Sequence, residues 1–373
     1  MDRFLPYETE VLRSYKLILK KMEAMHKDIQ EIKARISNSN TNEPLNSDTA
    51  PLNGQPQTSS YPAVLKIDPR CSSEISSLFV MKDKRLAIGS LDQSITICSL
   101  DVERSSYTID VKVAKAHENE INSICQLAER DDILVSSSDE SKIKLWKVSG
   151  NELKNVRSFD KHSSYVFKVI PLTNSRCASC SADKSVKVWS ASVDEDPAEL
   201  ASLSMHSEVR TILQLNSGRK ELVASCGDKT IWFWNTETYT HVGTISGYYA
   251  LEPYHMIEIP GMKIALSSDT EEHPIVIIDT QRYAIEKVID LRNYNVEKSS
   301  SLCLLSSSSF IYARDKKLIH FDTGNYEVIG HTCALEEIDG DWDIAAIEEG
   351  KYFVIGNVSG GVTVFKNVKH GVE

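Results

Sequence analysis

Three stretches decide the fold: DILVSSSDESKIKLW (132–146), RCASCSADKSVKVW (176–189) and ELVASCGDKTIWFW (221–234). Each reads as a β-rich run, a tight polar turn with an acid, a second β-rich run and a terminal Trp, and the three align without gaps. Extending the register outward finds degenerate copies. Cys98, Trp146, Trp189, Trp234, Ile278, Phe321 and Phe365 fall at equivalent terminal positions, separated by 48, 43, 45, 44, 43 and 44 residues. Six residues before them stand Asp92, Glu140, Asp183, Asp228, Glu272, Asp315 and Ser359. Upstream, His117, His162 and His206 recur at the same period. A repeat of this length describes one supersecondary unit stacked on copies of itself.

The period, the loop His, the turn Asp and the terminal Trp together resemble the WD-repeat family, whose repeats encode four strands per propeller blade. The resemblance covers 61–373 and implies an all-β fold: a seven-bladed β-propeller of four-stranded antiparallel blades. The Trp-Asp dipeptide itself is absent, since Trp146, Trp189 and Trp234 precede Lys, Ser and Asn. Glu140 replaces the turn Asp, and the first blade closes on Cys98. Counting from Ile75 leaves the last blade without its outer strand, and 63–68 has no other use. The family resemblance implies that this N-terminal strand completes the last blade and closes the ring.

In that family the loop His bonds the turn Asp, and a Ser or Thr and the Trp extend the network. The resemblance therefore assigns His117 with Trp146, His162 with Asp183 and Trp189, and His206 with Asp228 and Trp234 to structural networks. A triplet repeated in three blades is not an enzyme site. There is no phosphate-binding GxxxxGK[ST], no HExxH and no GxSxG. Cys177 and Cys180 lie three apart in an extended run, so they point to opposite faces and make neither a metal site nor a disulfide. No catalytic residue, cofactor or metal is expected.

What remains is surface. The family docks partners on the rim around the central channel. By position, Glu120, Asn122, Tyr165, Phe167, Glu208 and Arg210 face that rim. Two further loops offer Tyr248, Tyr249 and Tyr254, and Trp342 among Glu336, Glu337, Asp339, Asp341 and Asp343. Aromatic anchors beside acids suit a basic partner peptide.

Two other zones precede the repeats. In residues 1–36, Val11, Tyr15, Ile18, Met22, Met25, Ile29, Ile32 and Ile36 are spaced 4, 3, 4, 3, 4, 3, 4. This a/d seam favours a coiled coil, a homodimer or a pairing with another helix, over one helix docked on the propeller. Residues 37–60 are Asn, Ser, Thr, Pro and Gly with few large apolar side chains, the composition of a disordered linker with a reach of roughly 25–30 Å.

The chain has a formal net charge of −11, and residues 1–36 carry a small positive excess, so the repeats are acidic and unsuited to nucleic acid. Apolar runs are too short to span a membrane, and the N-terminus has no apolar signal core. A cytoplasmic location is expected, with the nucleus as the alternative. The reading is a non-enzymatic protein-binding scaffold that self-associates through its N-terminal helix and recruits a client on the rim. Its coiled-coil-then-propeller outline resembles Groucho-type co-repressors. The alternative is the substrate-recognition subunit of a ubiquitin ligase.

Overall fold

The computed structural model describes residues 61–192, 198–216, 218–246, 253–268, 275–291, 294, 301–314, 316–331 and 343–368. The candidate seam, the linker, Tyr248, Tyr249 and Trp342 lie outside them. The described strands form seven antiparallel sheets of four strands. In six blades the strands follow chain order from the channel outward. The seventh is completed by Ala63–Ile67, which pairs with Val362–Lys366. One blade thus joins both ends of the repeat region, and no sheet edge stays open at the closure.

The terminal positions of the repeat all sit on the third strand of a blade, where they pair with the second: Leu134 with Trp146, Cys177 with Trp189, Phe353 with Phe365. Their burial explains the period. Seven apolar clusters fill the seven interfaces between adjacent blades, and each draws side chains from both neighbours. A single blade has two apolar faces and cannot bury either alone. Trp189, almost fully buried, packs against Phe159 and the second blade, with ring centroids 4.9 Å apart.

The polar turns follow local chemistry. Lys184, Lys229 and Ser141 adopt positive φ of 68°, 68° and 65°. In blades 3 and 4 the preceding acid holds the turn: Asp183 Oδ1 accepts the Ser185 N–H at 3.0 Å, and Asp228 that of Thr230 at 3.2 Å. An Asp that bonds the backbone two residues on stabilises such a turn. Cys177 and Cys180 are buried in one strand, and burial pushes both thiols up to about 12.

Adjacent blades are also stapled. Arg176 Nη1 donates to Tyr239 Oη at 2.8 Å and to the Thr236 carbonyl at 2.8 Å. Arg219 does the same to Tyr283 (3.0 Å) and Thr280 (2.8 Å), and Lys263 reaches Tyr326 at 2.7 Å. Each cation also lies 5.3–6.0 Å from the ring centroid it bonds. These pairs recur at the blade period between blades 3 and 4, 4 and 5, and 5 and 6.

Candidate functional site

The expected networks are present in two blades and altered in the third. In blade 3, Trp189 Nε1 donates to Ser179 Oγ at 2.8 Å, Ser179 Oγ lies 2.7 Å from His162 Nε2, and His162 Nδ1 lies 2.7 Å from Asp183. The donors fall into one sequence: indole to hydroxyl, hydroxyl to imidazole, imidazole to carboxylate. Burial opposes ionisation of Asp183, but the bonds from His162 and Ser185 hold its carboxyl well below the usual range. In blade 2 the order is Trp146, Ser136, His117, Glu140, with 2.8 and 2.6 Å for the first two bonds. The longer Glu140 still reaches the imidazole, and it also takes Lys144 at 3.0 Å. Burial, then the Lys144 charge, lowers His117 to about 4, so the ring is neutral and donates from Nδ1.

Blade 4 departs from the expectation. His206 is exposed and meets Trp232 edge-on at 5.8 Å rather than bonding Asp228. The position ten before Trp234, Ser in the other two blades, is Ala224, so nothing accepts from the indole. Trp234 Nε1 is sealed from solvent without a hydrogen-bond partner. Asp228 instead takes Thr230, and Trp232 Nε1 donates to Thr230 Oγ1 at 2.9 Å.

The rim residues fall into two levels. Glu74, Glu120, Tyr165 and Glu208 are equivalent: each carbonyl accepts the N–H of a turn residue of its own blade, at 2.9–3.1 Å. Tyr165 is 51% exposed, the most of any large hydrophobic side chain described. Burial, then the neighbouring Asp139 and Glu74, raises the Glu120 carboxyl. Two residues deeper, Asn122, Phe167 and Arg210 line the channel mouth. Asn122 donates to Asp139 at 2.7 Å and to the Val166 carbonyl of the next blade at 3.1 Å. Arg210 pairs with Glu208 at 2.6 Å and lies 5.2 Å from the Phe167 ring centroid.

Two placements correct the sequence reading. Phe167 is half-buried and packs against the apolar cluster between blades 3 and 4, so it is partly core. Asp343 is no rim acid. Its carboxylate lies deep in the channel, where it accepts the Leu78 and Ile344 N–H groups at 2.7 and 2.9 Å and the Ser301 hydroxyl at 3.3 Å. Burial lifts it to about 6 against those bonds.

Below the mouth lies a complete polar level that no sequence motif marks. Ser77, Ser123, Lys168, Thr211, His255, Ser301 and Asp343 stand one per blade, 42–46 residues apart. In the first five blades a β-bulge sits just before this residue, in the same register each time. Bulges of this kind re-aim a side chain. Six of the seven bond the next blade around the ring. Ser77 Oγ accepts the Ile124 N–H (3.0 Å), Ser123 Oγ donates to the Val169 carbonyl (3.4 Å), and His255 Nδ1 accepts the Leu302 N–H (3.0 Å). Lys168 Nζ meets Thr211 Oγ1 (3.4 Å), Ser301 meets Asp343, and Asp343 returns to Leu78. Of these seven residues, all except Thr211 line a cavity of about 600 Å³. The available signal was a polar residue recurring at the blade period inside otherwise apolar inner strands.

Among the described residues no cluster of His, Cys, Asp or Glu is arranged to hold a metal, and no helix is long and apolar enough to cross a membrane.

Comparisons with known proteins agree with this architecture. The family model "WD domain, G-beta repeat" matches residues 109–147, 153–190 and 198–235. The chain is 29% identical over 89 residues to "Nuclear distribution protein PAC1" of Candida dubliniensis, covering 24% of this chain and 18% of the relative. It is 34% identical over 117 residues to "Periodic tryptophan protein 2 homolog" of Dictyostelium discoideum, covering 31% and 12%. It is 28% identical over 138 residues to "Nuclear distribution protein nudF 1" of Talaromyces marneffei, covering 36% and 29%. The chain thus spans less than a third of the length of each of these relatives. The crystal structure of the WD40 β-propeller domain of Doa1 superposes with a TM-score of 0.66 at 16% identity, covering 83% of this chain and 98% of that one. The chain carries three WD40 repeats within a seven-bladed β-propeller.

Proposed function

We propose that this propeller is a non-enzymatic docking platform that binds a basic peptide or domain on the channel mouth. One observation carries the reading. Tyr165 stands half-exposed at a position that three other blades fill with Glu74, Glu120 and Glu208. An exposed aromatic on the same level of the mouth as these carboxylates matches what an Arg- or Lys-bearing partner needs: an apolar anchor with complementary charge on neighbouring blades. The His-Ser-Trp networks of blades 2 and 3 are occupied in bracing each blade internally, which fits a scaffold better than a catalyst.

The finer picture extends the same reading. Residues 1–36 self-associate through the seam from Val11 to Ile36, and 37–60 tether the platform to that assembly. The same reading places the platform in the cytoplasm or the nucleus. The test is quantitative affinity capture with full-length protein against Tyr165→Ala combined with Glu120→Gln. Proteins whose recovery falls several-fold with the variant, at unchanged melting temperature, support the mouth as the docking face. Identical recoveries from a folded variant contradict it.

A further inference from the structure

Two hydrogen-bond donors deep in the channel are left largely unused by the propeller itself. Lys168 is enclosed by protein, yet it presents surface to the cavity, and its ammonium makes one long contact, 3.4 Å to Thr211 Oγ1. An ammonium has three N–H donors. Asp343 acts on it electrostatically, without a direct ion pair. His255 supplies the second donor. Its Nδ1 accepts the Leu302 N–H, which leaves the neutral ring's proton on Nε2. Burial and then the Lys168 charge keep that ring neutral. No described residue accepts from Nε2.

The acceptors nearby are engaged. Both Asp343 oxygens take bonds, from Leu78, Ile344 and Ser301. Glu208, at the mouth, is paired with Arg210. The spare capacity is therefore donor capacity with a positive charge, and a guest must bring negative oxygen. A singly charged, planar group with two oxygens suits two donors, whereas a dianion would meet the Asp343 charge. At about 600 Å³ the cavity is in the ordinary size range for small-molecule sites.

We infer that the middle of the channel binds the carboxylate of a ligand, one oxygen toward the Lys168 ammonium and the other toward His255 Nε2–H. The carboxylate belongs either to a small organic acid or to an acidic side chain inserted by a docked peptide. The site is independent of the rim reading: it can fail while Tyr165 still anchors a partner, and the reverse.

Ligand-observed NMR on the full chain tests this with monomethyl succinate, the capped peptide acetyl-Gly-Glu-Gly-amide, neutral succinamide and inorganic phosphate. The site predicts saturable binding of at least one carboxylate probe, and weaker or no binding of succinamide and phosphate. Binding of the small acid assigns the free source, and binding of the peptide alone assigns the side-chain source. Lys168→Met should weaken binding by about tenfold or more, as for loss of a charged hydrogen bond. Should that variant fail to fold, His255→Gln decides, with a smaller loss of several-fold. Failure of both carboxylate probes to bind, equal binding of succinamide, or unchanged affinity in a folded variant overturns the inference.

Discussion

The carboxylate of Asp343, in blade 7, accepts the backbone N–H of Leu78, in blade 1, at 2.7 Å. It is the point where the ring of polar residues inside the channel closes, on the channel side of the same interface that Ala63–Ile67 closes from outside. A buried amide left without its acceptor costs about 1–3 kcal/mol. Asp343→Ala is therefore expected to lower stability to denaturant by that order, with the earliest loss of hydrogen-exchange protection at blades 1 and 7. Unchanged protection at Leu78 would show that the bond contributes nothing to closure.

The blade networks make a paired prediction. Ser179→Ala strands both Trp189 Nε1 and His162 Nε2, so it should destabilise by about 1–3 kcal/mol. Ala224→Ser offers the sealed Trp234 indole the acceptor it lacks, and it should raise stability by about 1 kcal/mol. Trp189→Ala empties a core site and should cost about 3–5 kcal/mol. Thermal or urea melts of the three variants check the order.

Acid should weaken the fold in part through His117. Its folded pKa, about 4, lies below the ordinary imidazole value of 6.5. The unfolded chain therefore takes up the proton first. The contribution is intact above about pH 6.5 and is lost as pH falls toward 4, reaching on the order of 3 kcal/mol. Asp343 acts in the opposite sense, because its pKa of about 6 exceeds the unfolded 3.8 and favours the folded state as pH falls through that window. His117→Gln should flatten the loss of stability between pH 6.5 and 4. An unaltered pH profile would remove His117 from the acid response.

The inter-blade staples are testable by a double-mutant cycle. Arg219 bonds the Tyr283 hydroxyl and lies 5.5 Å from its ring centroid. Arg219→Met and Tyr283→Phe should each cost about 1 kcal/mol, and the pair should cost less than their sum. Strict additivity would mean that the two side chains act separately.

The proposed self-association is assigned to residues 1–36. Full-length protein is expected to associate with rising concentration, and residues 61–373 to stay monomeric. Ile29→Asp with Ile32→Asp should abolish association without changing the propeller melt. Light scattering of the three proteins checks this.

The blade count was legible because the seven terminal positions bury side chains at a fixed place in every interface, and burial leaves an apolar residue at each. The closing strand was legible for the same reason, since Leu65 and Ile67 complete the apolar cluster between blades 7 and 1. The inner ring was not legible. Ser77 or Ser123 alone is an unremarkable polar residue in a strand, and its meaning depends on an N–H or carbonyl in the next blade. Asp343 was misplaced because a run of acids carries no information about depth. Blade 4 was over-read: Trp234 matched the pattern, while the Ser that makes the Trp useful had become Ala224.

Site-specific photo-crosslinking from the channel mouth tests the docking reading most directly. A benzoylphenylalanine at position 165, in full-length protein within cells, should form a discrete adduct with a protein carrying a basic segment. The same probe at Lys154, on an outer strand, should not form it, and Glu120→Gln should reduce it. A position-165 probe that yields no adduct, or the same adducts as position 154, would contradict a docking face at the mouth.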